Sequence, residues 1–237
     1  MMNLLLISNS TNAGESYLSH PKAQIRSFLK PAVDKVLFLP YAAVTFSYDD
    51  YEKKVSERFA ELGIRVESIH HFSSPVRAVE AARAIVIGGG NTWQLTRCLH
   101  DFNLIDPIRE RVLSGTPFVG WSAGANVACP TIRTTNDMPI IDPVGLHACN
   151  FVPFQINPHY LDAHPEGHAG ETREQRIQEF IEINPDLYVV GLREGTMLEI
   201  HDNSIELIGP RPARIFRKGD APCEINPGGD LAFLMER

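Results

Sequence analysis

Over the first half of the chain, short apolar runs of strand length alternate with amphipathic stretches of helix length. Residues 3–8, with the unbroken apolar run 4–7, have the pattern of a short strand buried on both faces, and a helical pattern follows over Lys22–Leu29. Lys35–Leu39 is a second such run, closed by Pro40. Ser47-x-x-Asp50 resembles a capping arrangement that opens a long helix through Leu62, with Gly63 as its stop. Residues 64–69 alternate as a third strand, and Ser74-Pro75 opens an alanine-rich helix. Residues 84–87 are a fourth strand running into Gly88-Gly89-Gly90. Leu104, Ile105, Ile108, Val112 and Leu113 share one helical face, and residues 117–120 are a fifth strand.

The pattern loosens after about residue 130. Residues 133–142 are polar and turn-rich, residues 150–156 suggest a strand, and residues 162–171 form a loop rich in His and Gly. Thr172-x-x-Gln175 caps a helix with Ile177, Phe180 and Ile181 on one face, ended by Asn184-Pro185. Residues 187–192 are another buried strand. Residues 197–200 and 205–208 flank Asp202-Asn203 as a hairpin, and Gly228-Gly229 marks a last turn. This alternation predicts an α/β fold: a doubly wound, mostly parallel sheet with helices on both faces and C-terminal β-hairpins. No repeat, low-complexity tract or linker interrupts residues 1–237, so one domain is expected.

Composition narrows the function classes. The 237 residues are 43% hydrophobic and 22% charged, an ordinary globular balance that supports a core without metal or disulfide staples. With 22 Lys+Arg against 29 Asp+Glu the net charge is −7, and there is no basic run, which argues against nucleic acid. The N-terminus lacks a cationic n-region, and no stretch of apolar residues is long enough for a membrane helix. Cys98, Cys129, Cys149 and Cys223 are scattered without CxxC spacing, which points to reduced thiols in a cytoplasmic protein. A protein that handles a small molecule is the expectation.

The strongest chemical signal is Gly120-Trp121-Ser122-Ala123-Gly124, directly after a buried strand and directly before the short helical run 125–129. This is the G-x-S-x-G nucleophile elbow in its strand–turn–helix context. Glycine relieves the crowding of a sharp reversal, and the turn lifts the Ser122 hydroxyl above the carboxyl edge of the sheet, where α/β folds place their ligands. It also aims the Ala123 amide at a developing oxyanion. A strand–helix junction with an incidental serine is the competing explanation. Gly88-Gly89-Gly90-Asn91-Thr92 sits at a second strand-to-helix switch and offers backbone amides for an anion or a second oxyanion donor. It fits neither G-x-G-x-x-G nor a P-loop, so no nucleotide cofactor is expected.

A serine nucleophile needs a base held by a third group. Of the nine histidines, His159 is the best base candidate, following an apolar segment within Asn157-Pro158-His159-Tyr160. His20, His70 and His71 lie upstream, away from the carboxyl edge in this reading. His164-x-x-x-His168 with Asp162 has ligand types for a metal, but Pro165 interrupts it and no helix supports the spacing, so no metal is expected there. Asp137 and Glu194 compete as the orienting carboxylate: one lies in an irregular polar stretch, the other follows a buried strand. Sequence leaves that choice open.

At this point the residues resemble peptidase E, the α-aspartyl dipeptidases of serine peptidase family S51. The resemblance spans nearly the whole chain. It rests on Leu5-Leu6-Ile7-Ser8-Asn9-Ser10, Gly88-Gly89-Gly90-Asn91-Thr92, Gly120-Trp121-Ser122-Ala123-Gly124-Ala125, Asn157-Pro158-His159, Pro165-Glu166-Gly167-His168, Gly170-Glu171-Thr172-Arg173-Glu174 and Glu194-Gly195. It implies a fold similar to class I glutamine amidotransferases (flavodoxin-like), with serine in place of their cysteine. Ser122 is then the nucleophile, His159 the base, and Asp137 the first choice of acid by the usual chain order, with Glu194 the alternative. The implied activity is hydrolysis of dipeptides with an unblocked N-terminal aspartate, through an acyl-enzyme and without cofactor or metal. Gly90 and Ala123 would donate to the oxyanion. Arg173 would read the aspartate carboxylate, ahead of Arg133 and Arg193.

Three rivals remain: a cyanophycinase-like β-aspartyl peptidase, an α/β-hydrolase esterase, and a non-catalytic amidotransferase-like protein that binds a small anion. The esterase is disfavoured because Asp137 and His159 follow Ser122 closely. The binder is disfavoured because it needs none of the relay residues. The partner expected is a small-molecule substrate, with the chain a monomer or homodimer.

Overall fold

The computed structural model describes residues 1–29, 33–162 and 170–236. In chain order these form β1 (Asn3–Ile7), α1 (Lys22–Leu29), β2 (Lys35–Leu39), α2 (Tyr48–Ala60), β3 (Arg65–Ser68), α3 (Pro75–Glu80) and β4 (Ile85–Ile87). There follow α4 (Thr92–Asp101), α5 (Ile105–Leu113), β5 (Phe118–Trp121) and α6 (Ala123–Asn126). The C-terminal part holds β6 (Gln155–Tyr160), α7 (Arg173–Ile183), β7 (Val189–Arg193), β8 (Met197–His201), β9 (Ser204–Ile208), β10 (Ala213–Phe216) and β11 (Cys223–Ile225).

Seven strands make the large sheet, in the order β3-β2-β4-β5-β1-β8-β9. The first five are parallel, and the β8–β9 hairpin adds antiparallel to β1. Strands β2 to β5 follow the 2-1-3-4 order of a flavodoxin-like sheet, and β1 fills the fifth place beyond β5. Alternate residues of β1 enter two different cores. Leu4 and Leu6 pack with Val79 of α3, Leu95 of α4 and Ile108 of α5, whereas Leu5 and Ile7 pack with Ile25 of α1 and Val55 and Phe59 of α2. Helices cover both faces, which is why the strands read as unbroken apolar runs. Each such Leu or Ile removed from water stabilises the fold by about 1.5–3 kcal/mol.

Several elements depart from the sequence pattern. Residues 187–192 do not join the large sheet: β7 lies in a second, four-stranded sheet of order β11-β10-β7-β6. The strand expected over residues 150–156 begins only at Gln155 and runs through Pro158 to Tyr160. Phe151, Val152 and Phe154 are buried as an apolar plug with no strand ladder of their own. Pro158 is tolerated because β6 is the edge of its sheet, where a missing N–H breaks no ladder. Leu113 falls off the buried stripe of α5 and is 43% exposed; Leu104, Ile108 and Val112 carry the packing. Among the described residues no helix is long and apolar enough to cross a membrane. The four cysteines are unpaired, and burial pushes the Cys129 and Cys149 thiols up to about 12.

Candidate active site

Ser122 stands between β5 and α6 with φ 55° and ψ −114°, a conformation L-residues rarely adopt. Close backbone packing enforces it. A methyl group on Gly124 would collide with the Ile87 carbonyl of β4, and one on Gly120 with the carbonyl of Gly124. The Ser122 amide donates to Ile7 O at 2.9 Å, and the amides of Ala125 and Asn126 donate to Ser122 O at 3.0 and 2.9 Å. The elbow is therefore tied on both sides, and the side chain is lifted clear of the sheet.

His159 comes from the other sheet. Strands β6 and β7 pair Pro158 with Leu192 and Tyr160 with Arg193, which leaves His159 as the extra residue of a bulge, at φ 54°. The bulge takes its imidazole out of the strand alternation and aims it at Ser122. The His159 amide donates to Ser8 Oγ at 2.9 Å, and that hydroxyl donates to Leu192 O at 2.7 Å. Ser8, just past the end of β1, thereby fastens β6 and β7 of the four-stranded sheet to the large one.

The imidazole is held at both ends. Nε2 lies 2.9 Å from Ser122 Oγ, and Nδ1 lies 2.7 Å from Glu194 Oε1. A carboxylate accepts only, so Nδ1–H donates to Glu194 and the Nε2 lone pair faces the serine hydroxyl. Glu194 directly follows β7, and the turn after it is pinned where the Gly195 amide donates to Asn9 Oδ1 at 2.8 Å. His159 and Glu194 are 35% and 40% exposed, open to an incoming substrate.

Asp137, the first choice of acid in the sequence, is engaged elsewhere. The amide and hydroxyl of Thr92 donate to its Oδ2 at 2.7 and 2.6 Å, and the Trp93 indole donates to its carbonyl at 3.0 Å. It caps the start of α4. The neighbouring Asn136 donates to Pro158 O at 2.6 Å, and Asn157 donates to Thr134 O at 2.9 Å. Residues 134–137 are thus a strap between the glycine loop and the strand of His159. The geometry brings Ser122, His159 and Glu194 together, and Asp137 is not among them.

The glycine loop lies against the elbow. A methyl on Gly89 would sit 2.9 Å from Ser122 Cβ, and Gly90, at φ 138°, passes so close to Ala42 O that only glycine fits. Among the described residues, neither the Gly90 nor the Ala123 amide has a hydrogen-bond partner. Tyr51 donates its hydroxyl to Gly89 O at 2.9 Å and accepts from the Trp121 indole at 3.3 Å.

Of the three arginines, only Arg173 is without an ion-pair or hydrogen-bond partner among the described residues while lying in reach of the site. It opens α7 beside the Thr172–Gln175 capping box. Burial and then Arg176 pull its guanidinium below the usual range, opposed by the Asp137 and Glu194 carboxylates. Arg193 is consumed by Asp162, at 2.8 and 2.6 Å, and by Glu224, at 2.7 and 2.8 Å. Arg133 bonds Asn184 and Thr131. The histidine reading also needs correction. His20 feels the charge of Glu194, and burial lowers its pKa. His70 and His71 follow β3, whose carboxyl end lies at the same sheet edge as Ser122, because the five strands are parallel. His164 and His168 lie outside the described residues. The sequence assigns no site role to Ser8, Asn9, Tyr51 or Thr92. The signals for Ser8 and Asn9 are a polar pair closing an apolar strand and their place in a motif of the family resemblance; Thr92 also lies in one.

A serine, an imidazole and a carboxylate in relay, beside two open amides at the carboxyl edge of an α/β sheet, form the arrangement of a serine hydrolase. Residues 4–208 match the model of peptidase family S51. Peptidase E of a Nostoc species is 52% identical over 234 residues, covering 99% of this chain and 97% of the relative. Peptidase E of Salmonella typhimurium is 45% identical over 227 residues, covering 96% and 99%. The crystal structure of a peptidase from an acI-B1 Actinobacterium shares the fold, with a TM-score of 0.69 at 18% identity over 96% of this chain and 95% of that one. The chain belongs to peptidase family S51.

Proposed function

We propose that this peptidase cleaves dipeptides with an unblocked N-terminal aspartate, with Ser122 as nucleophile, His159 as base and Glu194 as the orienting acid. The observation that carries the reading is the relay itself, with contacts of 2.9 and 2.7 Å on the two nitrogens of one imidazole. His159 Nε2 takes the Ser122 proton as Oγ attacks the aspartyl carbonyl, and Glu194 stabilises the imidazolium that results. The Gly90 and Ala123 amides donate to the oxyanion. The amine departs with the proton from His159, and water then resolves the acyl-enzyme.

The relatives named Peptidase E support the substrate class. Arg173 supports it chemically. A chain of net charge −7 cannot draw in an acidic substrate by its overall field, so a local cation must recognise the aspartate carboxylate. Asp137, in the same electrostatic neighbourhood, keeps Thr92 and the glycine loop in place rather than serving the histidine. Unpaired cysteines fit action in the reducing cytoplasm.

The test offers the purified chain an Asp-X dipeptide, the matching β-aspartyl dipeptide, a simple ester and an Asp-initiated tripeptide. Hydrolysis of the first alone is expected, and Ser122→Ala abolishes it while leaving substrate binding near normal. Preference for the β-aspartyl dipeptide would replace this reading with the cyanophycinase-like one. Binding of the dipeptide without turnover in the intact fold would leave an anion-binding protein.

A further inference from the structure

At the outer edge of the large sheet, four side chains that the relay does not use converge on one point. Asp49 and Glu52 lie one helical turn apart at the start of α2, and His70 and His71 occupy the short 3-10 turn that follows β3. One donor atom from each lies within 4.8 Å of all the others. His70 Nε2 is 2.9 Å from Asp49 Oδ1, and His71 Nε2 is 2.6 Å from Glu52 Oε2 and 3.8 Å from Asp49 Oδ1.

The cluster is built from behind. Ser68, fully buried at the end of β3, places its hydroxyl 2.7 Å from His70 Nδ1, and its amide donates to Glu52 Oε1 at 3.0 Å. One imidazole and one carboxylate are thus gripped on their outer atoms, and their remaining donor atoms turn inward. Such outer contacts orient metal ligands. The two imidazoles lie against each other with centroids 3.9 Å apart, and both Nε2 atoms approach Asp49 Oδ1. His70 and Glu52 form the floor, 17% and 20% exposed; Asp49 and His71 form the open rim.

We propose that Asp49, Glu52, His70 and His71 form a binding site for a divalent first-row transition ion, Zn2+ foremost. Two imidazole nitrogens suit such ions and not the hard, oxygen-seeking Ca2+ or Mg2+. Two carboxylates neutralise the dication. Donors bound at about 2.0–2.2 Å in a tetrahedron sit about 3.3 Å from one another. Three of the donor pairs, at 2.6–3.8 Å, bracket that spacing and no pair exceeds 4.8 Å, so the ion enters with side-chain shifts of roughly 1 Å. The site is structural. In the order β3-β2-β4-β5 it lies three strand spacings, about 14 Å, from the elbow strand, and it clips the turn after the edge strand to α2. No metal was expected from the sequence because these ligands come from two distant segments.

The test uses the full chain stripped with a chelator and then dialysed against Zn2+, with bound metal counted by elemental analysis. One Zn2+ per chain is expected, with a rise in the thermal midpoint, and Co2+ in its place gives the visible spectrum of a four-coordinate N/O site. His70→Gln with His71→Gln loses at least about 100-fold in affinity, the upper end of what even outer contacts cost, and Ser68→Ala loses about 10-fold. His100→Gln binds like the parent. The chelator-stripped double variant hydrolyses dipeptide as fast as the stripped parent, which separates lost ligands from lost fold. Fewer than one ion per parent chain, or equal affinity in parent and double variant, overturns the proposal.

Discussion

In the seven-stranded sheet, the site residues are held by backbone against backbone. Ser122 keeps its positive φ because Gly120, Gly124 and the Ile87 carbonyl leave no room for another path, and Gly90 is pressed on Ala42 in the same way. In the four-stranded sheet, His159 and Glu194 are held by side chains. The Ser8 hydroxyl grips the bulge, and Arg193 binds Asp162 and Glu224 while Arg214 joins Glu224 to Glu174. Packing resists motion steeply and does not depend on pH. Charged contacts are softer and respond to pH. The proposed relay spans the seam, a rigidly held Ser122 facing a His159 whose support is largely electrostatic.

The largest effects should fall on the relay where it crosses that seam. Glu194→Gln should lower kcat by about 10^4, the size of effect seen when an orienting carboxylate loses its charge in a serine relay. Asp137→Asn keeps an acceptor for Thr92 and should cost no more than about 10-fold in kcat, equivalent to about 1.4 kcal/mol, the low end of what an unpaired buried donor costs. Steady-state kinetics on an Asp-X dipeptide ranks the two. The reverse order would return the acid's role to Asp137.

On the backbone-held side, Gly124→Ala should destabilise the fold by about 1–3 kcal/mol, because the added methyl meets the Ile87 main chain, which cannot step aside. Urea denaturation reads this as a lower midpoint at unchanged slope. A stable Gly124→Ala chain would mean that packing does not enforce the elbow.

On the charge-held side, Arg193→Met should cost less, about 1–2 kcal/mol at neutral pH, since both acidic partners are partly in water. Hydrogen bonds from Arg193 are the first cause holding the Asp162 and Glu224 carboxyls below their usual range. A carboxyl with a lowered folded-state pKa adds stability that is complete above its unfolded value, near pH 4, and is lost as pH falls through the folded value. The gap between parent and variant should therefore close on acidification. Urea midpoints at pH 7 and pH 3 measure it, and an equal gap at both would refute the electrostatic account.

The same contrast explains what was legible in the sequence. Backbone-held features leave local marks: glycines at 120 and 124, apolar runs at strand length, a capping box at Thr172. These gave the five parallel strands, Ser122, and the Gly90 loop. The second sheet leaves few, because its pairing joins residues 155–160 to 189–193 and its Pro158 mimics a break. The bulge at His159 is invisible without the register of β6 on β7, and that register is what puts Glu194 beside the imidazole. Chain order favoured Asp137 and could not show that its carboxylate is spent on Thr92.

The finest test concerns Tyr51, where α2 reaches across to the glycine loop. Its hydroxyl donates to Gly89 O and accepts from Trp121, the residue before Ser122, so a single oxygen links the two strand–helix turns of the proposed oxyanion site. Burial raises its pKa to about 12, so the hydroxyl stays protonated and keeps donating across the working range. Tyr51→Phe retains the ring, which packs edge-on against Phe38, and removes only that oxygen. Both hydrogen bonds go with the oxygen; the one that aims the glycine loop is worth about 1 kcal/mol, or roughly a five-fold change in rate if it is felt in the transition state. The expected result is a kcat lowered by about that factor with KM nearly unchanged, since the loop's aim matters to the oxyanion and not to the ground-state carbonyl. An unchanged kcat with lowered stability would make Tyr51 a packing residue, and the glycine loop would then owe its position to Ala42 and the strap at Asp137 alone.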